Sequence, residues 1–165
     1  MSLHYLLDGY NILHQIPGLL HQEVDQQRLV LVREIERASP HGSGRNRVTL
    51  IFDGRPGPVP AIQSAAVKVI FSMDRSADDR IREAVLASKN ARQLIVVTDD
   101  RALQYAVRAE GAQVLGVNEF LARLRSPGGG KQPRAGKTLT QAEVERINKE
   151  LEERWLKGDE SGGNA

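Results

Sequence analysis

The chain has 165 residues, of which 40% are hydrophobic, 27% charged and 4% aromatic, enough for one domain plus an extension. Its 23 Lys and Arg against 21 Asp and Glu leave a formal net charge of +2, a balance that allows RNA as a partner without requiring it. Cysteine is absent, which excludes disulfides, cysteine-containing zinc sites, iron–sulfur clusters and thiol nucleophiles and fits a reducing cytoplasm. No apolar run approaches the roughly 20 residues that span a bilayer, and Asp8 arrives before any signal-length stretch, so a soluble, cytoplasmic protein with no membrane partner is expected.

In chain order, short apolar runs alternate with helical patterns. Tyr5–Leu7, Val48–Phe52, Val67–Phe71, Leu94–Val97 and Gln113–Leu115 predict buried strands. Between and after them, Val24, Leu31, Ile35 and Ala38, then Ile81, Ala84 and Val85, then Leu103, Ala106 and Val107, then Phe120, Leu121 and Leu124 fall at helical spacing. Gly111 reads as a helix stop and Asn118 as the N-cap of the fourth of these helices. DGYN, residues 8–11, together with 40–47 and 54–60, read as loops, with His14, His21 and His41 in polar loop surroundings. This alternation predicts an α/β fold with a mainly parallel central sheet flanked by helices.

The first domain is expected to end near Arg125. Residues 126–137, SPGGGKQPRAGK, have linker composition, and Gly128–Gly130 lack the strand and the Lys-Ser/Thr pair of a phosphate cradle. Thr140 and Glu143 then suggest a capping box opening an amphipathic helix over 138–157, with Val144, Ile147, Leu151 and Trp155 on its stripe, before a disordered tail at 158–165. That stripe could be covered by the parent domain, a second copy or a partner particle, so a monomer or weak homodimer is expected.

The chemistry lies in the aspartates. Asp8 follows the first strand, Asp53 the second, Asp78 and Asp79 open the helix after the third, and Asp99 and Asp100 follow the fourth. In a parallel α/β sheet the carboxyl ends of the strands share one edge, so four segments would deliver carboxylates there. Each acid alone could equally be a turn or helix-cap residue. Two carboxylates about 5 Å apart repel by roughly 3 kcal/mol at an effective dielectric near 20, so a cluster calls for protonation or a bound cation. Oxygen donors without histidine or cysteine suit Mg²⁺ or Mn²⁺ better than Zn²⁺, and such ions activate water against phosphodiesters. Asn11 would orient water or phosphate, or merely shape its loop.

On YLLDGYN (5–11), IFDG (51–54), FSMDRSADDRI (71–81) and VVTDD (96–100), the sequence resembles the YacP-like NYN domains of the PIN-like nuclease superfamily over about residues 1–125. The resemblance implies a Rossmann-like PIN fold and a Mg²⁺- or Mn²⁺-dependent endoribonuclease in RNA processing or decay. It places the metal ligands on Asp8, Asp53, Asp78 and Asp100, with Asn11 beside them. Asp79 is the neighbour of the matching acid in the third motif. Asp99 stands where the family pattern has serine, as an added ligand or a helix cap.

Phosphate-binding cations would be Arg55, Arg80 and Arg101 beside the acidic motifs, and Arg123, Arg125, Lys131, Arg134 and Lys137 toward the linker, with Tyr10 as base-stacking platform. Sparse aromatics favour recognition of RNA by backbone or context, for example on the ribosome. Two rivals remain: a non-catalytic RNA-binding or ribosome-associated module, and a phosphatase or receiver using Asp53, which would need a lysine that Lys89 is poorly placed to supply.

Overall fold

The computed structural model describes residues 2–57 and 62–125, together with Ala142, Arg146 and Lys149, three exposed positions in helical conformation. The five predicted strands form one all-parallel sheet: β1 (His4–Asp8), β2 (Arg47–Phe52), β3 (Val67–Phe71), β4 (Leu94–Val97) and β5 (Gln113–Leu115), in the spatial order β3-β2-β1-β4-β5. Helices α1 (Gly9–Leu13), α2 (Val24–Ala38), α3 (Ala77–Ala87), α4 (Arg101–Ala109) and α5 (Val117–Arg125) cover its two faces. Among the described residues no helix is long and apolar enough to cross a membrane.

The central strands β1, β2 and β4 are buried on both faces, which is why they read as nearly continuous apolar runs, whereas the edge strands β3 and β5 carry the exposed Lys68 and Gln113. Tyr5, Leu7, Leu50, Phe52 and Val97 point into a core with α1, α2 and α5, while Leu6, Ile51, Leu94 and Val96 point into a second core with Ile81 and Val85 of α3 and Leu103 and Val107 of α4. The chain runs outward from β1 to β2 and β3, then returns through α3 to place β4 on the other side of β1. This reversal of strand order opens a crevice beyond the carboxyl ends of β1 and β4, where parallel α/β sheets bind ligands. Asp8 closes β1 at that point, in register with Ile51 of β2.

Three local expectations change. DGYN is no loop, because Gly9 to Leu13 turn straight into α1, a helix too short to carry a readable period. Asn118 is not an N-cap: α5 begins one residue earlier, and the Val117 N–H is met at 2.9 Å by the remote Asp99 carboxylate. His41 is buried rather than in a polar loop. Ser39 ends α2 in the left-handed region (φ 46°), and the chain then lays the His41 ring edge-on to Tyr5 at 6.5 Å. Burial lowers the His41 pKa, and its Nδ1 has no hydrogen-bond partner. Gly111 does stop α4, with φ 96°. The linker, the proposed terminal helix apart from the three positions named, and Lys131, Arg134 and Lys137 lie outside the described residues.

Candidate active site

Asp8 sits in the N-cap position of α1 with extended backbone (φ −78°, ψ 96°), but its carboxylate does not cap that helix. It turns toward β4, where Thr98 Oγ1 donates to Oδ2 at 3.3 Å. Burial pushes its pKa up to about 6, the Thr98 hydroxyl and the nearby Asn11 backbone N–H offset part of the rise, and the charges of Asp78 and Asp100 add to it.

Thr98 was not singled out from sequence, though a hydroxyl ending the LIVV run and directly preceding two acids was a legible signal. It is fully buried, and its Oγ1, while donating to Asp8, accepts the Asp100 backbone N–H at 3.1 Å. One hydroxyl thus couples two of the acids. Thr98→Val keeps the shape and removes both bonds. We expect a loss of about 1–2 kcal/mol in urea unfolding. The Asp8 pKa should rise further, seen as a displacement of the acid limb of any activity profile to higher pH.

Asp53 follows β2 and is exposed. Its Oδ1 accepts from Ser72 Oγ at 3.1 Å and from the Ala77 N–H of α3 at 3.2 Å. Ser72, fully buried and also missed in the sequence, in turn accepts the Gly54 N–H at 2.9 Å. Gly54 takes φ 88°, which only glycine adopts freely. The carboxylate therefore ties the loop after β2 to the start of α3 while remaining at the crevice.

The two adjacent acids of α3 have different tasks. Ser76 caps the helix by accepting the Asp79 N–H at 3.0 Å, and Asp79 Oδ2 accepts the Ser76 N–H in return at 3.4 Å, a complete capping box. Asp78 instead faces the other carboxylates. Burial raises its pKa, the Arg82 guanidinium opposes that rise, and Asp100, Asp79 and Asp53 add to it. Its Oδ2 lies 3.1 Å from Arg82 Nε, while its buried Oδ1 has no hydrogen-bond partner among the described residues.

A similar division holds after β4. Asp99 is tied on both oxygens, Oδ1 to Val117 N at 2.9 Å and Oδ2 to Gln15 Nε2 at 3.1 Å, so it fastens α5 to the β4–α4 turn. Asp100 caps α4 by accepting the Leu103 N–H at 3.0 Å, and its charge acts on both Asp8 and Asp78. Asn11 Oδ1 accepts the Asp99 N–H at 2.8 Å, which leaves its Nδ2 as the group to meet water or phosphate.

Asp8, Asp53, Asp78 and Asp100 thus come from four segments on the carboxyl side of the sheet, near enough for their charges to act on one another. Among the described residues, no three His, Cys, Asp or Glu side chains stand close enough together to hold an ion between them. The donor chemistry nevertheless fits a hard divalent ion: oxygen only, with one buried carboxylate oxygen lacking a partner.

The predicted RNA contacts divide. Arg55 is exposed and paired with Asp74, Arg80 reaches the Ser72 carbonyl at 3.4 Å, and Arg101 is exposed at the start of α4. Arg123 does not face the crevice. It donates to Tyr5 Oη at 3.2 Å and to the Pro40 carbonyl at 3.4 Å, because α5 runs antiparallel to the strands and carries Arg123 and Arg125 to the opposite sheet edge. Tyr10 is half-buried, its hydroxyl held by Arg28 and its ring 5.4 Å from Phe52.

Arg28, missed in the sequence, is a buried cation packed on Tyr10, Phe52 and Phe71 and paired with Asp25 at 3.0 Å. Lys89 lines a cavity of about 360 Å³ with His4 and Arg47 at the amino ends of the strands. It is therefore at the edge away from Asp53, and a receiver-like or phosphatase mechanism could not draw on Lys89.

The family model of the YacP-like NYN domain matches residues 5–159. The solved structures that resemble the chain include two of one protein. One is Rae1 (YacP) from Bacillus subtilis, 27% identical, covering 98% of this chain and 83% of that one with a TM-score of 0.61. The other is a mutant of the same protein with one tryptophan replaced by leucine, 26% identical, covering 96% and 86% with a TM-score of 0.58. None of the curated proteins matches the chain.

Proposed function

From the premise that the chain belongs to the YacP-like NYN domain family, with its PIN-like nuclease fold, we propose that it is a Mg²⁺- or Mn²⁺-dependent endoribonuclease. The observation that supports this reading is the mutual charge effect of carboxylates from separate segments, Asp78 and Asp100 on Asp8, and Asp100 and Asp53 on Asp78, with Asp8 and Asp78 both raised above the ordinary aspartate value. A divalent ion bound there would supply a nucleophilic water and neutralise the phosphate undergoing attack.

Asp8 and Asp78 would be the main ligands, with Asp100 and Asp53 holding ion-bound waters. Mg²⁺ commonly binds one or two carboxylates and completes its shell with water and substrate phosphate, so a closed protein cage is not required. Asn11 Nδ2 would hold a non-bridging phosphate oxygen. Arg55, Arg80 and Arg101 rim the acids and would neutralise flanking phosphates. Asp79 and Asp99 would act through the helices they cap. The cytoplasm, and RNA held on the ribosome, are the setting that this reading favours.

Purified protein incubated with total cellular RNA and with RNA-loaded ribosomes should generate new 5′ ends in Mn²⁺ or Mg²⁺ and none in chelator. A second reading, a non-catalytic RNA-binding module, draws on the absence of three closely gathered acids among the described residues. It predicts RNA retention without new ends in either ion, and no ion-dependent rise in melting temperature. The nuclease reading predicts a rise of about 2–3 kcal/mol in stability at an ion concentration 100-fold above Kd.

A further inference from the structure

Tyr10 is the aromatic that the sequence offers for base stacking, yet its ring and hydroxyl are engaged by Phe52 and Arg28. Among the described residues, the aromatic that is free to stack is Tyr105 on α4, 79% exposed and without a hydrogen-bond partner there. Residues four and seven apart share a helix face, so Arg101, Tyr105 and Arg108 form one stripe, all three exposed. Leu103 and Val107 hold the opposite face of α4 in the core, which fixes the stripe outward.

A single exposed aromatic needs no explanation. This one stands between two arginines whose side chains make no ion pair among the described residues, on a helix whose N-cap is the site carboxylate Asp100. Asp100 and Glu110 flank the stripe at the two ends of the helix, and α4 itself carries no acid. Over seven residues the helix advances about 10 Å, so the two cations would meet different phosphates with the ring between them. Alternating cation and aromatic on a surface leading from an acidic centre suits an unpaired nucleic-acid strand, in which every base offers a stacking face. An apolar protein partner would not call for the two arginines, and an acidic one would not call for the ring.

We infer that the outer face of α4 is the track along which single-stranded RNA leaves the carboxylates, Tyr105 stacking on an unpaired base and Arg101 and Arg108 pairing with its flanking phosphates. The inference rests on the RNA reading above. Its probe is a fluorescein-labelled single-stranded decaribonucleotide, with binding followed by anisotropy in chelator and cleavage followed in Mn²⁺. Tyr105→Ala should weaken binding about 10-fold and raise KM by a similar factor, with kcat and melting temperature unchanged. Tyr105→Phe should restore both, since the ring and not the hydroxyl does the stacking. Arg101→Gln with Arg108→Gln should reduce the slope of log K against log salt by about 1.4, two phosphate contacts on a single strand.

Wild-type binding and cleavage with Tyr105→Ala unchanged would overturn the track and leave the nuclease reading standing. Equal losses in Tyr105→Phe and Tyr105→Ala would also overturn the stacking role. No binding of the decaribonucleotide by the wild type, with new 5′ ends still formed in cellular RNA, would overturn the track alone; no new ends in cellular RNA or ribosomes either would remove both readings.

Discussion

Replacing Asp8 by Asn should cut metal-dependent RNA cleavage at least 10³-fold and at the same time stabilise the fold near neutral pH. The activity loss follows from removing the carboxylate at the centre of the site. The stability gain follows from its displaced pKa. In the folded chain Asp8 titrates at about 6, against 3.8 for an ordinary aspartate. Between those values the folded state holds a proton that the unfolded state has released, so stability falls as pH rises through that window and levels off above it.

The full shift would correspond to about 3 kcal/mol, and partial access to water reduces this to about 2 kcal/mol. An asparagine side chain carries no charge to desolvate, and its amide oxygen can still accept from Thr98. The variant should therefore exceed the wild type by that amount in urea unfolding at pH 7.5 without divalent ions, and the gap should close near pH 4. Mn²⁺ should then raise the melting temperature of the wild type and not that of the variant. An Asp8→Asn protein that is less stable than wild type at pH 7.5 would show that the buried charge is compensated by the protein itself, and that no cation is needed there.

How much of this was readable in the residues follows from what each signal measures. The central strands were legible because burial on both faces leaves apolar runs such as LIF and LIVV, and the order of strands and helices then set the edge at which the aspartates emerge. Neighbouring acids were not separable from composition. Asp78 and Asp79 differ only in that the second closes a capping box, and Asp99 differs from Asp100 because its oxygens meet Gln15 and Val117, residues far away in sequence. Arg28 reads as a polar helix position, yet three aromatic rings from three segments surround it. Arg123 and Arg125 stand in a basic run that in sequence leads on from the domain, whereas the direction of α5 carries them to the edge opposite the acids.

Gly9 shows how closely the site depends on the core beneath it, and Gly9→Ala is expected to be the most disruptive single methyl in the domain. A Cβ at this position would lie 2.5 Å from Phe52 Cδ1 and Cε1 and 2.9 Å from the Ile51 carbonyl oxygen. Neither can move away cheaply. Phe52 is fully buried, between Tyr10 at 5.4 Å and Phe71 at 5.8 Å with the Arg28 guanidinium over its face, and the Ile51 carbonyl belongs to the strand paired with β1. The demand is for space rather than for an unusual backbone angle.

Relief would have to come from displacement of α1, which starts at Gly9 and carries Asn11, and from a shift of Asp8 directly before it. Overpacking of this kind costs about 3 kcal/mol, and a site displaced by about 1 Å loses on the order of 10²-fold in rate. Gly54→Ala provides the contrast. It meets nothing within 4 Å but must hold φ 88°, so its cost should be about 1 kcal/mol, from the backbone alone. Phe52→Leu, made in the Gly9→Ala background, should recover stability relative to the sum of the two single losses, because it removes the colliding Cε1 and replaces a rigid ring by a branched chain whose Cδ1 can rotate away. Strict additivity of Gly9→Ala and Phe52→Leu in urea unfolding would show that the glycine is required for some other reason than the close approach of α1 to β2.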